Sequence, residues 1–278
     1  MRYIELKDGT IYKFKNMKIM GIINVTDNSF YSNSRVYSVE NAVNRGIEMI
    51  ECGADILDIG GESTRPGSNP ITVEEEIQRV VPVISGIRQK NKDILISVDT
   101  YRSETAEEAI KAGADIINDI SAMTFDENMA DIAIKYNVPI ILMHIKGKPK
   151  DMQKNPHYND VIKEVKDFLE ERINYAINRG IKKDKLILDP GIGFGKSFDH
   201  NIKLIKNINE FLIFDLPVLL AVSRKSFIGQ ALSGIPVEEC LEGTIAVSCY
   251  AALKDVDIIR VHDVLENSRA IKMTEVLK

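Results

Sequence analysis

Residues 56–65 read Ile-Leu-Asp-Ile-Gly-Gly-Glu-Ser-Thr-Arg, a short and mostly apolar run that ends in a cluster of glycines and polar residues. The same arrangement recurs along the chain. Further short apolar runs cover residues 19–25, 94–98, 116–118, 140–143, 186–188, 218–222 and 258–261. β-Branched and apolar residues in succession are typical of parallel strands that are buried on both faces. The sequence therefore predicts eight parallel strands.

Helical patterns lie between these runs. The clearest covers residues 161–178, where apolar residues recur at helical spacing as far as the stop signal Gly180. Two others cover residues 39–51 and 103–111. Strands that alternate with helices in this way indicate an α/β fold, a (β/α)8 TIM barrel, with an open doubly wound sheet as the alternative.

The N-terminal residues have a different pattern. Ile4-Glu5-Leu6 and Thr10-Ile11-Tyr12 alternate in polarity on either side of Asp8-Gly9, a pair that favours a tight turn. We therefore expect an N-terminal β-hairpin within residues 1–15. Because (β/α)8 barrels often run to about 250 residues, we expect residues 1–278 to form a single domain.

Charge and cysteine content narrow the function classes. The net charge of −5 makes the whole molecule a poor partner for nucleic acid or an anionic membrane. The N-terminal residues are too charged for a signal peptide, and no apolar run approaches the ~18 residues of a membrane span. Cys52, Cys240 and Cys249 include no C-x-x-C pair, which is typical of reduced thiols. We expect a cytoplasmic protein that binds neither nucleic acid nor membrane.

Polar residues follow every apolar run. Their positions are Asn24, residues 60–65, Asp99, residues 118–119, His144, Asp189, residues 223–225, Arg260 and His262. The carboxyl ends of barrel strands lie on one face, where the catalytic groups of such barrels are found. Helix capping would explain any single polar residue, but a polar residue at every strand end favours a functional site.

The chain resembles the dihydropteroate synthases over nearly its whole length. The matching motifs cover residues 20–26, 53–67, 96–100, 117–120, 188–196, 223–227 and 260–264. Their joint occurrence in this order is specific. The resemblance implies a transferase of folate biosynthesis, in which the amine of 4-aminobenzoate displaces diphosphate from 7,8-dihydropterin-6-ylmethyl diphosphate and gives 7,8-dihydropteroate. It also implies that Mg²⁺ assists the leaving group.

The same resemblance implies a pterin site, and its residues suit the ring. The implied residues are Asp99, Asn118, Asp189, Lys225 and Arg260. A carboxylate such as Asp189 accepts hydrogen bonds from two neighbouring N–H groups on the pterin edge. Asn118 both donates and accepts, Asp99 accepts from another ring N–H, and Lys225 donates to the ring carbonyl.

A diphosphate site is implied at Asn24, Arg260 and His262. Arg260 and His262 are two residues apart, so on an extended strand they face the same way. Asn24 is also the expected Mg²⁺ ligand, and few other protein ligands are expected because Mg²⁺ keeps several waters. The implied catalytic residues are Asn24, Lys225, Arg260 and His262. They would act by orientation and electrostatic stabilisation of a cationic, dissociative transition state, since a neutral aryl amine needs no general base.

The implied 4-aminobenzoate site and subunit arrangement complete the expectations. The site would be formed by Thr64, Arg65, Pro66, Phe194 and Ser226. Residues 63–72, with their prolines and glycine, would be a mobile cover over it. The family usually forms homodimers through helices near the end of the barrel, so a homodimer is expected.

Residues 27–34 depart from the family pattern. This segment lacks the two aspartates and two glycines that the family usually has there, and Asp27 is its one acidic residue. The loss of one preorganised electrostatic group lowers a rate by roughly 10²–10³-fold. A non-catalytic pterin-binding paralogue therefore stays open as an alternative. A methyltetrahydrofolate methyltransferase, which shares the barrel and the pterin-anchoring Asp and Asn, is the second alternative, but it would have no use for a diphosphate clamp.

Overall fold

Parallel strands form the barrel of the computed structural model, which describes residues 1–25, 35–64 and 67–278, without the side chains of residues 35–38. The barrel strands are β3 (Lys18–Asn24), β4 (Ile56–Gly60), β5 (Leu95–Asp99), β6 (Ile116–Asp119), β7 (Ile140–Met143), β8 (Leu186–Asp189), β9 (Leu219–Ala221) and β10 (Ile258–Val261). Neighbouring strands follow chain order, and β10 pairs with β3. An isolated bridge from Leu188 to Val218 joins β8 to β9. The predicted (β/α)8 barrel is confirmed, because a doubly wound sheet would reverse its strand order.

Each barrel strand is followed by at least one helix. The helices are α1 (Arg35–Glu51), α2 (Val73–Lys90), α3 (Ser103–Ala112), α4 (Met129–Tyr136), α5 (Val161–Arg179), α6 (Phe198–Lys206), α7 (Ser226–Ala231), α8 (Leu241–Leu253) and α9 (Val264–Leu277). The helix predicted over residues 161–178 is α5, which ends at Gly180 with a positive φ of 109°. None of the helices in the described ranges is long and apolar enough to cross a membrane.

Alternate strand residues face the inside of the barrel and the surrounding helices in turn, and inward-facing apolar residues form a lower layer inside the barrel. The lower layer takes one buried apolar residue from each barrel strand, namely Met20, Ile56, Leu95, Ile116, Ile141, Ile187, Leu219 and Ile258. The intervening residues, such as Leu57 and Ile96, belong to the larger cluster that includes apolar residues of the surrounding helices. Two residues further along the strands, the same inward face carries polar groups such as Asp58 and Arg260. An apolar floor therefore supports a polar mouth.

The predicted N-terminal hairpin is confirmed, and it packs against the floor. Strand β1 (Tyr3–Glu5) pairs antiparallel with β2 (Ile11–Lys13). Ile4 is fully buried in the lower-layer cluster. The Nε atom of Arg2 donates to Asp257 Oδ2 at 2.7 Å, just before β10 begins. The hairpin therefore closes the end of the barrel opposite the strand carboxyl ends.

Replacing Ile4 with alanine tests this closure. The change removes buried apolar contacts and should lower the free energy of unfolding by about 2–5 kcal/mol. The matched control is Ile11→Ala on the same hairpin, since Ile11 is 44% exposed. Urea unfolding of both variants measures the difference, and equal losses would contradict the packing. The folded Ile4→Ala protein should keep its ligand affinity, because the hairpin and the mouth lie at opposite ends.

Candidate active site

A buried carboxylate lies at the centre of the mouth. Asp58, on β4, is fully buried, and its Oδ2 atom accepts hydrogen bonds from two other strands. Arg260 Nε on β10 donates to it at 2.6 Å, and Asn118 Nδ2 on β6 donates at 3.0 Å. The other carboxylate oxygen, Oδ1, is buried with no hydrogen-bond partner among the described residues. One oxygen atom therefore connects strands β4, β6 and β10.

Asp99 is the second carboxylate in contact with Arg260. Arg260 Nη2 donates to Asp99 Oδ2 at 2.7 Å, and Asp99 is the register partner of Asn118 on the neighbouring strand. Burial raises the pKa of Asp99 to about 7, while the guanidinium of Arg260 opposes the rise. Asp99 does not cap the helix that follows, whose N-cap residue is Arg102. The capping alternative therefore does not hold for Asp99.

Asp189 and Lys225 form a second pair of opposite charges. Asp189 ends β8 and is buried, and its Oδ1 atom accepts a hydrogen bond from Gly191 N at 2.7 Å. Burial raises the pKa of Asp189, and the charge of Lys225 opposes this. Burial lowers the pKa of Lys225 to about 8, and Asp189 opposes that change in turn. Lys225 Nζ also donates to Ile192 O and lies 4.7 Å from the ring centroid of Phe194.

The loops that follow β9 and β10 are joined by two contacts. Ser223 Oγ accepts a hydrogen bond from the backbone N–H of His262 at 3.1 Å and lies 3.0 Å from His262 Nδ1. Arg224 forms a bidentate ion pair with Asp263, at 2.9 and 2.7 Å. These contacts fix the orientation of the His262 ring at the end of the strand that carries Arg260.

The remaining predicted residues lie at the same face as far as the structure describes them. Asn24 is exposed at the end of β3, and Ser226 is exposed at the start of α7. Thr64 is half-buried after β4. Phe194 follows β8 and packs beside a small cluster of Ile120, Met143, Ile145 and Met152. Arg65, Pro66 and the altered segment of residues 27–34 lie outside the described residues.

His144 follows a strand like the others but packs away from this group. It is buried against the loop after β8, and its Nδ1 atom lies 2.9 Å from Lys196 Nζ. Lys196 also donates to Gly191 O and Phe194 O, at 2.8 and 3.0 Å. Burial lowers the pKa of His144 to about 2, so the ring is neutral and its Nδ1 accepts from Lys196. His144 therefore supports the loop, and within the described part of the chain it forms no hydrogen bond with Asp58, Asp99, Asn118 or Arg260.

The sequence motifs gave no role to Asp58, although it lies within one of them. Its signal was a single charged residue inside the apolar run 56–59, two positions after inward-facing Ile56. Tyr101 and Arg102 were missed in the same way, because they follow Asp99 without belonging to a recognised motif. A charged residue on the inward face of a buried strand needs a partner, and that rule would have found Asp58.

Comparisons with known proteins agree on one family. Residues 20–262 match the family of pterin binding enzymes. The chain is 47% identical over 260 residues to dihydropteroate synthase of Clostridium beijerinckii, covering 93% of each chain. It is 44% identical over 267 residues to the Escherichia coli K12 dihydropteroate synthase, covering 96% of this chain and 94% of that one.

Solved structures agree with this result. The Yersinia pestis dihydropteroate synthase in a sulfonamide drug complex superposes with a TM-score of 0.92 at 37% identity, covering 99% of this chain and 98% of that one. The Xanthomonas albilineans dihydropteroate synthase in complex with 7,8-dihydropteroate superposes with a TM-score of 0.88 at 36% identity, with the same coverage of 99% and 98%.

The neutral state of His144 has a consequence for stability. A histidine that cannot take a proton in the folded state, but takes one below about pH 6.5 when unfolded, makes the unfolded state bind more protons. Stability should therefore fall as the pH falls below about 6.5, by up to about 1.4 kcal/mol per pH unit from this group. His144→Asn keeps an acceptor without the titration and should flatten this slope in urea unfolding between about pH 6.5 and 5. The exposed His157→Asn is the control, and identical slopes for the wild type and His144→Asn would rule the explanation out.

Proposed function

The chain belongs to the pterin-binding enzymes and, among them, to the dihydropteroate synthases, and on that premise we propose how the residues at its barrel mouth divide the work of the reaction. It is a transferase that joins 7,8-dihydropterin-6-ylmethyl diphosphate to 4-aminobenzoate, releasing diphosphate and forming 7,8-dihydropteroate. The relatives named above are synthases, which favours this reaction over a non-catalytic or a methyl-transfer role. The observation that carries the division of work is the buried cluster of Asp58, Asp99, Asn118 and Arg260.

We assign the pterin ring to the inner part of the mouth. Because Asn118 Nδ2 is committed to Asp58, its carbonyl oxygen points the other way and can accept a ring N–H. Asp189 supplies a buried acceptor for the paired N–H groups, and Lys225 supplies a donor within the field of Asp189. Unpaired polar groups in such a site are costly, so rings without the matching donors are rejected.

We assign Arg260 to the pterin and to the diphosphate together. Two of its nitrogens are held by Asp58 and Asp99, so the guanidinium plane is fixed before substrate arrives. A further N–H of the guanidinium can then donate to the diphosphate, and His262, two residues along the same strand, is assigned to the diphosphate with it. Because two carboxylates already balance the charge of Arg260, this group alone would be a weak anion receptor, and further positive charge is required.

Mg²⁺ is the proposed source of that charge, and Asn24 the protein ligand for it. An amide oxygen suits Mg²⁺, which binds oxygen ligands and is commonly held by one or two protein groups together with substrate phosphates. Within the described ranges, no group of three or more His, Cys, Asp or Glu side chains could hold a metal. With Asn24 as its protein ligand, the ion would be held mainly by substrate and water. When bound, the ion would neutralise the departing diphosphate.

In this proposal the protein groups orient the substrates and stabilise the developing charge, and none acts as a strong base. The bond from the methylene carbon to the diphosphate oxygen breaks, the amine nitrogen bonds to that carbon, and the amine loses one proton to water or to diphosphate. Asp99 and Asp189 face the charge that develops on the pterin side. Thr64, Phe194 and Ser226, with Arg65 and Pro66, are proposed to hold 4-aminobenzoate in line with that carbon.

A homodimer through α8 and α9 is also proposed. Their outer surfaces carry large apolar residues, including Leu253 at 53% exposed and Val276 at 80%. Exposed apolar surface of this kind is typical of a face that binds another subunit. The cytoplasmic location stays a prediction, supported by the free thiols of Cys52, Cys240 and Cys249.

Asp189→Asn tests the pterin site. One of the two acceptors becomes a donor, so the affinity for an unphosphorylated hydroxymethyl pterin should fall by about 10²–10³-fold in calorimetry. Asp215→Asn is the control, because Asp215 is exposed and its positive φ of 53° suits asparagine equally well. An unchanged pterin affinity in Asp189→Asn would overturn the assignment.

Removal of Mg²⁺ tests the diphosphate site. A chelator should stop the formation of dihydropteroate and the release of diphosphate, and excess Mg²⁺ should restore both. The affinity for the hydroxymethyl pterin should be unaffected, because that ligand lacks the diphosphate. Full turnover in the presence of the chelator would contradict the role of the ion.

A further inference from the structure

Arg102 is the centre of a second buried ionic network, on the rim of the mouth. Its Nη2 atom donates to Glu62 Oε2 at 2.7 Å, and its Nη1 atom donates to Glu76 Oε2 at 2.8 Å. All three side chains are largely buried, with 13%, 6% and 1% of their surfaces exposed for Arg102, Glu62 and Glu76. Nothing in the proposed reaction uses this network.

The network holds both ends of the loop between β4 and α2. Glu62 lies at the start of that loop, and Ile71 lies near its end. Arg102 Nη2 donates to Ile71 O at 2.9 Å, and Ile71 N donates to Glu62 Oε2 at 3.1 Å. Within the loop, Ser68 Oγ donates to Ser63 O. One guanidinium therefore fixes the distance between the two ends of the loop that carries Thr64.

Glu76 anchors the network to the barrel wall. It is on α2, and its Oε2 atom accepts hydrogen bonds from Thr100 Oγ1 at 3.1 Å and Thr105 Oγ1 at 2.8 Å as well as from Arg102. Thr100 follows directly after Asp99, which contacts Arg260. The loop ends are therefore held in a fixed position relative to β5, the strand that ends at Asp99 of the proposed pterin site.

Tyr101 connects the network to the other wall of the proposed 4-aminobenzoate site. Its hydroxyl donates to Glu62 Oε1 at 2.7 Å and accepts from Arg102 Nη2 at 3.0 Å. Its ring packs against the small apolar cluster of Ile120, Met143, Ile145 and Met152, and Phe194 packs against the same cluster. The network that holds the loop carrying Thr64 is thus linked, through the ring of Tyr101, to the apolar cluster that supports Phe194.

We propose that Arg102, Glu62 and Tyr101 form a clasp that holds the two ends of the β4–α2 loop and, through the apolar cluster that Tyr101 shares with Phe194, sets the affinity for 4-aminobenzoate. This proposal rests on the assignment of Thr64 and Phe194 to the 4-aminobenzoate site. The clasp residues are positioning residues, since none reaches the Asp58 cluster. Their loss should affect the second substrate far more than the pterin.

The test uses Arg102→Lys and Tyr101→Phe in the full-length protein. Lysine keeps the charge but loses the fork that reaches both glutamates and Ile71 O, and phenylalanine keeps the ring packing but loses the hydroxyl. Each variant should raise the KM for 4-aminobenzoate by about tenfold, the loss expected for a hydrogen bond to a charged group. The KM for the pterin diphosphate and the affinity for hydroxymethyl pterin should change by less than about twofold, within the scatter of a neutral surface change.

Arg179 offers a matched control. It donates to the hydroxyl of Tyr175 at 2.9 Å and to Asp131 at 2.5 Å, the same chemistry at the C-terminal end of α5. Arg179→Lys and Tyr175→Phe should leave both KM values unchanged. Equal rises in both KM values for the clasp variants, or no rise in either, would overturn the proposal.

Thr64→Ala separates failure of the clasp from failure of the site. If Thr64→Ala raises the KM for 4-aminobenzoate while both clasp variants leave it unchanged, the site stands and the clasp is wrong. If neither Thr64→Ala nor Phe194→Ala raises it, the site assignment itself is wrong, and the clasp proposal falls with it. Thermal unfolding of each variant establishes that it is folded, and Tyr101→Phe, the milder change, decides the matter if Arg102→Lys does not fold.

Discussion

A single oxygen atom of Asp58 accepts hydrogen bonds from Arg260 and Asn118, and the geometry of the mouth depends on it. A carboxylate buried this completely is costly unless it is paired, and removing one partner of a buried ion pair typically costs 3–5 kcal/mol. The pairing therefore fixes a guanidinium and an amide from two different strands in one arrangement. Any ligand meets a rigid surface in which most donors and acceptors are already oriented.

The rigid polar mouth and the apolar core that stabilises the fold lie at opposite ends of the barrel. The floor is made of apolar residues, one from each barrel strand, and is closed by the hairpin through Ile4. The mouth above it holds buried charges, whose contribution to stability is small or unfavourable. Apolar packing at the floor offsets the unfavourable free energy of these buried charges. Substitutions at the mouth and at the floor can therefore act independently of each other. The clasp at Arg102 and the support of Lys196 under the Phe194 loop add order where the loops leave the barrel.

Sequence patterns predicted the strands and their order well, because a doubly buried parallel strand needs a continuous apolar run. They also predicted which residues lie at the mouth, since strand ends converge there. They could not predict which side chains pair. His144 follows a strand as Asp189 does, yet the loop after β8 covers it, and loop paths are not encoded in periodicity. Asp58 was hidden inside an apolar run, and its role depends on Arg260, about 200 residues away in sequence.

Charge balance connects the separate parts of the mouth. Buried groups of both signs interact there, among them the carboxylates Asp58, Asp99 and Asp189 and the cations Lys225 and Arg260. These five groups sum to one negative charge when all are ionised, so a bare diphosphate is electrostatically unfavourable beside them. Burial raises the pKa of Asp99 to about 7; the charge of Arg260 opposes this rise, and the nearby carboxylates of Asp58, Glu76 and Asp119 add to it. On the proposed assignment of the pterin to this mouth, these carboxylates would stabilise positive charge on the pterin fragment more than negative charge on the leaving group, which is the charge separation that a dissociative displacement requires.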